Sequence, residues 1–441
     1  MGLLLGNTGD ALESGNVRTK QQRIAELAEL MPEAGFTSLA HYIDLGWLRE
    51  AYRGVRKTGA SGVDEVTAEE YERDLEGNLR SLLERFKSGR YYAPAVKRVY
   101  IPKGDGKMRP IGIPTLEDKI LQRAVVMVLQ PMYEEDFLDV SYGFRPGRSV
   151  HDALGGLRKA AMEMGGCWVL EVDIKGYFDT VEHAFLREFV KKRVRDGVIL
   201  RMIGKWLKAG VMEDGMIHYP EKGTPQGGVI SPLLSNIYLH EVLDVWFEQE
   251  VRPCLEGKAE LVRYADDYVI LCTSKRDAQR IEEVLPKRFG KYGLKIHEEK
   301  TRLLDFHRPM GGGGKSETFG FLGFTHYWGK SRKGHWVVKR KTAKKKLKAA
   351  IRRVYEWCRE HRHDPVKEQW RALGVKLTGH YQFYGITCNS RSLSSFHEAV
   401  KRSWRKWLNR RSREKDMPWE RFERLLQRYP LPRPRITHGY A

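Results

Sequence analysis

The sequence has no long hydrophobic run and few cysteines. No segment approaches the roughly 20 uninterrupted apolar residues of a membrane-spanning helix. The five cysteines are scattered, and no two of them have the CxxC spacing of a zinc or redox site. The pattern therefore argues against a helical membrane protein, a disulfide scaffold and a zinc module, and it predicts a reducing interior compartment.

Acidic residues are also in deficit. The 441 residues include 78 Lys and Arg against 57 Asp and Glu, so the formal charge is +21. A surface this basic suits a polyanion, and nucleic acid is a simpler partner than a membrane surface. With 41% hydrophobic residues the chain can bury a sizeable core, and its length suggests about three domains.

Two predicted strands end on carboxylates. An apolar run at 167–172 leads into Asp173, and two apolar runs within 261–271 meet at Asp266 and Asp267. Taken singly, an aspartate after a strand or in a hairpin bend is most often a solvated turn former. The apolar flanks, however, predict a buried hairpin, which leaves few structural reasons for charge at its tip.

Clustered carboxylates are the ligands that hard cations prefer. Two Mg²⁺ ions can stabilise the attacking oxygen and the leaving pyrophosphate when a phosphodiester bond forms. The sequence therefore predicts a two-metal catalytic site whose ligands are Asp173, Asp266, Asp267 and the main-chain carbonyl of Ile174.

Basic residues concentrate in three further segments. Within residues 91–114 the side chains alternate in the direction in which they are expected to point, with Val99 and Ile101 on one face and Arg98 and Tyr100 on the other. This pattern predicts a β-hairpin with its turn at 104–106. Nine of the eighteen residues at 336–353 are Lys or Arg, and apolar residues recur there at helical spacing, which predicts one packed face and one basic face. A third basic stretch, 401–415, contains Trp404 and Trp407, which either stack on bases or close a core.

Five motifs in order along the chain resemble those of bacterial group II intron reverse transcriptase/maturases. Tyr264-Ala265-Asp266-Asp267 resembles the signature hairpin of reverse transcriptases, and 172–179 resembles their other metal-binding strand. The remaining matches are 142–149, 224–232 and 320–324, and the resemblance extends over roughly residues 40–440. Many relatives carry a further nuclease domain with paired cysteines and histidines, which this chain is not expected to contain.

The resemblance implies an α+β right-hand polymerase with fingers, a palm built on an antiparallel sheet, a helical thumb and a small basic C-terminal module. The expected divisions are an N-terminal extension at 1–36, fingers and palm at 37–330, a thumb or maturase region at 331–400 and a DNA-binding segment at 401–441. A helix is predicted over residues 181–198, after the first metal-binding strand.

The resemblance also implies roles for individual residues. Phe178 would exclude the ribose 2′-hydroxyl, or is alternatively a core aromatic. Lys103 and Arg109 would clamp the incoming triphosphate, or are solvated charges. Lys300 would lie near the active site, or forms an exposed salt bridge. The nucleotide pocket would thus contain Lys103, Arg109, Phe178, Gln226 and Lys300. The primer and template would contact Gly227, Phe321, Leu322 and Gly323.

Two basic groups are expected to bind nucleic acid. The RNA-binding group consists of Lys339, Arg340, Lys341, Lys344, Lys345, Lys346 and Lys348. The DNA-binding group consists of Arg402, Arg405, Lys406, Arg410 and Arg411.

The resemblance implies an RNA-directed DNA polymerase that binds group II intron RNA, assists its splicing and copies it into target DNA from deoxynucleoside triphosphates. Two alternatives remain: a splicing cofactor without polymerase activity, and a free-standing relative used in DNA repair or defence. The expected location is the bacterial cytoplasm, with association to the nucleoid during mobility.

Overall fold

A computed structural model describes residues 8–102, 108–213, 215–219, 222–223, 227–309, 316–411 and 417–439. Lys103, Gln226 and the predicted hairpin turn at 104–106 lie outside these ranges. None of the helices in this part of the chain has the length and apolar character needed to cross a membrane.

Helices make up most of the described structure. In chain order they are α1 Thr8–Leu30, α2 Leu45–Gly54, α3 Ala68–Glu72, α4 Leu75–Lys87, α5 Leu116–Asp136, α6 Val150–Glu163, α7 Tyr177–Thr180, α8 His183–Arg193, α9 Gly197–Leu207, α10 Ser231–Leu239, α11 Lys275–Lys291, α12 Lys344–Glu360, α13 Val366–Tyr384, α14 Ser390–Asn409 and α15 Trp419–Arg428. After α10 the chain continues in π-helical turns at His240–Asp244 and Phe247–Val251.

The strands are β1 Val96–Pro102, β2 Met108–Ile113, β3 Gly166–Val172, β4 Val211–Glu213, β5 Met216–His218, β6 Ala259–Tyr264, β7 Asp267–Cys272, β8 Arg302–His307, β9 Phe319–Phe321, β10 Phe324–Lys330 and β11 Trp336–Thr342. They form sheets with the strand orders β2-β1-β4-β5, β6-β7-β3-β8 and β11-β10-β9. The mixture of helices and mainly antiparallel sheets confirms the α+β class.

The chain forms two compact units. The first contains the described residues of Met1–Ser149, Val172–Tyr268 and Gln279–Thr301, and the second contains those of Val150–Glu171, Val269–Ala278 and Arg302–Ala441. The three predicted catalytic aspartates all lie in the first unit.

The basic hairpin of the first unit is confirmed. β1 pairs antiparallel with β2 from Lys97 opposite Ile113 to Pro102 opposite Met108. The exposed part of β1 is the run Val99–Pro102, whereas Lys97 and Arg98 before it are half-buried, so basic and apolar side chains do not alternate in exposure.

The single helix expected over residues 181–198 is wrong, because the chain forms α8 and α9 with a break between them. Val194 makes a parallel bridge with Phe36, and the main chain of Phe36 bonds to Arg193 at 2.7 Å and to Arg195 at 2.8 Å. Asp196 then caps α9 by accepting from the amides of Val198 and Ile199. These contacts with the N-terminal part of the chain replace the helical turn.

The predicted helical face at 347–358 is confirmed in the second unit. Ala350, Val354 and Cys358 of α12 belong to a core that α13, α14 and α15 complete. Trp404 is fully buried and Trp407 is 8% exposed in the same core. Both tryptophans therefore close the core, and neither presents a ring for base stacking.

Candidate active site

Asp173 directly follows β3 and is held in place by its main chain. Its carbonyl accepts a hydrogen bond from the amide of His297 at 2.8 Å, and the amide of Lys175 donates to the carbonyl of Lys295 at 2.8 Å. Ile174, between them, forms an antiparallel bridge with Ile296. In such a ladder the carbonyl of Ile174 points away from residues 295–297, which leaves it on the other side of the strand.

Asp266 and Asp267 lie at the bend between β6 and β7, as the sequence predicts. Ala265, which precedes them, has φ +56°, a left-handed conformation that is uncommon for a residue with a Cβ. Asp266 is half-buried and Asp267 is exposed. Since β7 is the neighbour of β3 in the sheet, the bend belongs to the strand next to the one that leads into Asp173.

A buried ion pair supports this bend. Arg263, the penultimate residue of β6, is 0% exposed, as is Asp244, and Arg263 Nε donates to Asp244 Oδ1 at 2.7 Å. Arg263 Nη1 also donates to the carbonyl of Ala265 and to Asn236 Oδ1, each at 3.1 Å. One guanidinium therefore fixes the main chain of the left-handed residue that positions Asp266.

Gly143 explains why a motif far from the bend in sequence belongs to the site. A Cβ at this position would lie 2.9 Å from the carbonyl carbon of Tyr264 and would also clash with the amide nitrogen of Ala265. Asn236 Nδ2 donates to the carbonyl of Gly143 at 2.7 Å, which links this glycine to the Arg263 ion pair. Glycine is required here because two backbones touch.

Burial raises the pKa of the Asp266 carboxyl above its usual value, and the negative charge of Asp173 raises it further, whereas Arg109 and Arg263 oppose the rise. The two aspartates are thus close enough to repel each other. Lys300 Nζ lies 3.1 Å from Asp173 Oδ2, in an ion pair whose side chains are 56% and 40% exposed. The partly exposed salt bridge stated as one alternative for Lys300 is thus present, and its partner is the predicted metal ligand Asp173, while a role in the active site stays a prediction.

No three Asp, Glu, His or Cys side chains in the described part of the chain are grouped so as to hold a metal ion. The donor chemistry nevertheless suits a divalent cation, because Asp173 and Asp266 repel each other and a cation would relieve that repulsion. Asp267 and the carbonyl of Ile174, the other two predicted ligands, would supply further oxygen donors of the kind that Mg²⁺ prefers.

Two residues of the predicted nucleotide and template contacts have distinct surroundings. Phe178 is half-buried, and its ring meets that of Tyr177 edge-on at 5.3 Å. Gly227 has φ +113°, and a Cβ there would lie 2.8 Å from Ile111 Cγ2 and would clash with the carbonyl of Gly112. The close neighbour that makes glycine necessary is therefore the protein's own β2, a contact that the sequence did not reveal.

A second buried network holds the segment after Gly227. Asp118 of α5 accepts from Trp206 Nε1 at 2.7 Å, from Gln122 Nε2 at 2.9 Å and from the hydroxyl of Tyr91 at 3.2 Å. Gln122 Oε1 in turn accepts from the amide of Ile230 at 3.2 Å. The spacing of four residues between Asp118 and Gln122, which places both on one face of α5, is the signal that could have found this network.

Phe321, Leu322 and Gly323 form the turn between β9 and β10 in the second unit. Leu322 has φ +48° and Gly323 has φ +84°, which is the pair of left-handed residues that a tight hairpin turn needs. The amide of Gly320 donates to Glu171 Oε1 at 2.8 Å, and Glu171 also pairs with Arg302. The turn itself accounts for the left-handed conformation of Leu322, and contact of this tip with the primer stays a prediction.

The predicted nucleic-acid contacts divide by exposure. Lys341, Lys344, Lys345, Lys346 and Lys348 are exposed, and Lys339 is half-buried. The assignment of Arg340 to RNA binding is wrong, because its side chain is 3% exposed within β11 and cannot reach a phosphate on a surface.

In the C-terminal group, Arg402, Lys406 and Arg410 are exposed. Arg405 donates to the carbonyl of Met417 at 2.9 Å, and Arg411 donates to the carbonyls of Arg362 and Asp364. The last two arginines therefore also stabilise the local fold.

Comparison with known proteins gives a consistent result. The model of a family described as reverse transcriptase (RNA-dependent DNA polymerase) matches residues 101–326. Protein YkfC of Escherichia coli (strain K12) is 37% identical over an alignment of 317 residues that covers 64% of this chain and 83% of YkfC.

The group II intron-encoded protein LtrA of Lactococcus lactis subsp. cremoris is 34% identical over 354 aligned residues, which cover 65% of this chain and 58% of LtrA. Nuclear intron maturase 2, mitochondrial, of Arabidopsis thaliana is 28% identical over 176 aligned residues, 31% of this chain and 24% of that protein. The chain thus matches somewhat more than half the length of LtrA.

Proposed function

Because the chain belongs to the reverse transcriptase (RNA-dependent DNA polymerase) family, we propose that it copies group II intron RNA into DNA and assists the splicing of that RNA. The similarity to LtrA and to a nuclear intron maturase supports the intron and splicing parts of this proposal. Target DNA and deoxynucleoside triphosphates are the further partners, and the protein acts at the nucleoid during mobility.

The observation that carries the proposal is the meeting of Asp173 with the Asp266 bend. Two carboxylates that repel each other lie at the ends of neighbouring strands, and a buried arginine fixes the bend from behind. An arrangement that costs stability and is nevertheless supported by a buried ion pair is explained by a role in catalysis.

The residues that would hold divalent ions, Mg²⁺ above all, are Asp173, Asp266, Asp267 and Ile174 through its carbonyl. Bound ions would stabilise negative charge on the attacking and leaving oxygens. The protein itself positions the ligands. The pairing with residues 295–297 orients Asp173, and Arg263 orients Asp266 through the carbonyl of Ala265.

The nucleotide pocket is proposed around the same aspartates. Arg109 acts electrostatically on Asp266, which fits a guanidinium close to the triphosphate. Phe178 excludes the ribose 2′-hydroxyl of the incoming nucleotide. Lys300 leaves its ion pair with Asp173 and binds a phosphate of the nucleotide instead. Lys103 and Gln226 complete this pocket in the proposal, while Gly227 and the Phe321–Gly323 turn contact template and primer.

The exposed face of α12 is proposed to bind the intron RNA. Lys344, Lys345, Lys346 and Lys348 are exposed at its start, while the opposite face packs in the core of α13 and α14. The proposed divisions remain a thumb or maturase region at 331–400 and a DNA-binding segment at 401–441, although α14 runs without a break across residue 400.

Primer extension on an RNA template tests the proposal. We expect the intact protein with Mg²⁺ to extend a DNA primer, and Asp266→Asn to lose extension by a factor of about 10³ or more, because a ligand to the ions is removed. Binding to a group II intron RNA, measured in parallel, should persist in this variant.

Glu283→Gln is the matched control, since it removes an exposed carboxylate on α11 without touching the site. Loss of extension in both variants would indicate a general effect of charge. If the intact protein bound intron RNA tightly and extended no primer, the polymerase part would be overturned and a splicing cofactor would remain. Copurification with a tightly bound intron RNA distinguishes an intron-encoded protein from a free-standing one.

A further inference from the structure

A groove between α8, α9 and the segment before β1 has no part in the catalytic site described above. It has a volume of about 710 Å³, and its lining includes Arg187 and Lys191 of α8, Arg201 and Lys205 of α9, and Lys208 just after α9. Gly197 and Gly204 also line the groove, and since glycine has no side chain neither of them fills it.

The charge of the groove is of one sign. None of the described residues that line it is acidic. Lys191 pairs with Glu188 at 2.9 Å outside the lining. For Arg187, Arg201 and Lys208, all exposed, no carboxylate lies within ion-pair distance among the described residues. Like charges crowded in a concave surface repel each other, so this arrangement is stabilised by an anion.

Two exposed tyrosines stand at the rim. Tyr92 is 70% exposed and Tyr219 is 65% exposed. The ring of Tyr219 lies against Gly210, where a Cβ would be 3.2 Å from its Cε1. The segment that carries Tyr92 is tied to α9 because Lys205 Nζ donates to the carbonyls of Gly89 and Tyr91, the former at 2.8 Å. The Tyr219 ring is thus packed against Gly210, the main chain next to Tyr92 is tied to α9, and both rings are open to solvent.

We propose that this groove binds a single-stranded segment of the RNA partner, with phosphates on Arg187, Arg201 and Lys208 and bases stacked on Tyr92 and Tyr219. Cations track a phosphate backbone, and aromatic rings accept any base by stacking. The combination of cations and exposed aromatics fits a nucleic-acid strand better than an acidic peptide, which offers no bases to stack. The inference rests on the proposed function for the identity of RNA as the partner.

The test compares two triple variants of the full chain that lose the same charge. The groove variant is Arg187→Gln, Arg201→Gln and Lys208→Gln. The control is Arg73→Gln, Arg80→Gln and Lys287→Gln, at exposed positions outside the groove. Affinity for a 20-nucleotide oligouridine RNA is measured across a series of salt concentrations. Three lost phosphate contacts should lower the slope of log K against log salt by about 2 in the groove variant, with a smaller change in the control.

Aromatic variants give a second measurement. Tyr92→Ala should weaken oligouridine binding by about tenfold, and Tyr92→Phe should retain it, because stacking needs the ring and not the hydroxyl. Equal slopes in the two triple variants, or unchanged binding in Tyr92→Ala, would overturn the proposal. Loss of primer extension in the groove variant at saturating template would also overturn it, because the groove would then belong to the path of template and primer through the polymerase site. An intact protein that binds oligouridine through the groove and extends no primer would refute the proposed function alone.

Discussion

A charged residue inside an apolar strand supports the bend that carries Asp266 and Asp267. Arg263 interrupts the run that leads to Asp266, and Asp244 interrupts the apolar helical segment after α10. The placement of the three aspartates at strand ends could be predicted because their flanks are apolar along the sequence. Their supporting pair could not, because it depends on a contact between residues 19 positions apart. Charges within apolar runs are the signal that points to such pairs.

Arg263→Met should destabilise the protein by about 3–5 kcal/mol, because it leaves the charge of Asp244 buried and unpaired. Chemical denaturation measures this loss. Adding Asp244→Leu should restore much of the stability, since an apolar pair of similar volume replaces the ion pair. Primer extension should stay low in the double variant, because the bond to the Ala265 carbonyl is still missing. Recovery of activity together with stability would show that Arg263 has no positioning role.

Phe178→Ala should admit ribonucleotides. A smaller side chain leaves room for the 2′-hydroxyl, so the ratio of kcat/KM for dCTP over CTP should fall by about tenfold or more. Phe185→Ala is the control. It removes a ring of equal size from α8, where Phe185 contacts Tyr292. An unchanged ratio in Phe178→Ala would return Phe178 to the role of a core aromatic.

At the scale of whole elements, strands and hairpins were predicted more accurately than helix ends. The alternation of side chains predicts β1 and β2, and the two apolar runs that meet at the paired aspartates predict β6 and β7. The break between α8 and α9 was missed because Asp196 accepts the amides of Leu39 and Ala40 at 2.8 and 2.7 Å, far away in sequence. Helix α5 continues past Pro131 to Asp136 because Met132 and Tyr133 are buried beyond it, and their burial outweighs the cost of the proline.

Helix α5 also contributes a dependence of stability on pH. Burial raises the pKa of Asp118 from 3.8 to about 6. A raised carboxyl pKa means that the folded state favours the protonated form, so this contribution to stability is complete below pH of about 4 and is lost as the pH rises through about 6. The loss is on the order of 3 kcal/mol for a shift of this size.

The free energy of unfolding of the intact protein, relative to Asp118→Asn, should therefore fall between pH 4.5 and pH 7.5. Asparagine does not titrate there, and Glu283→Gln, which alters an exposed carboxyl, serves as the comparison. A difference between the intact protein and Asp118→Asn that is independent of pH would show that Asp118 has the same proton affinity in both states.

At the scale of the molecule, the charge of +21 was the first indication of a nucleic-acid partner, but composition does not say which cations are available. The structure separates them: the lysines of α12 are exposed, whereas Arg263 and Arg340 are buried. Sequence periodicity predicted the basic face of α12, because one helix determines it. The groove beside α9 could not be predicted, since it needs α8, α9 and residues 89–93 together.

Replacing Lys344, Lys345, Lys346 and Lys348 with Gln should weaken intron RNA binding and lower its salt slope by about 3, since each lost phosphate contact contributes about 0.7–0.9. The control replaces four other exposed lysines, Lys159, Lys287, Lys333 and Lys367. Filter binding over a salt series measures both variants. Identical slopes in the two would assign the α12 lysines to an ordinary solvated face.

The contacts around the break between α8 and α9 also govern the order in which the chain can fold on the ribosome. Arg193 donates to the carbonyls of Met31, Pro32 and Ala34, which precede it by 162, 161 and 159 residues. At a synthesis rate of about 5–20 residues per second, residues 28–40 must wait roughly 10–30 s for these partners. During that interval the carbonyls of Met31, Pro32 and Ala34 lack their donor, so the junction after α1 can be completed only after α8 has been synthesised.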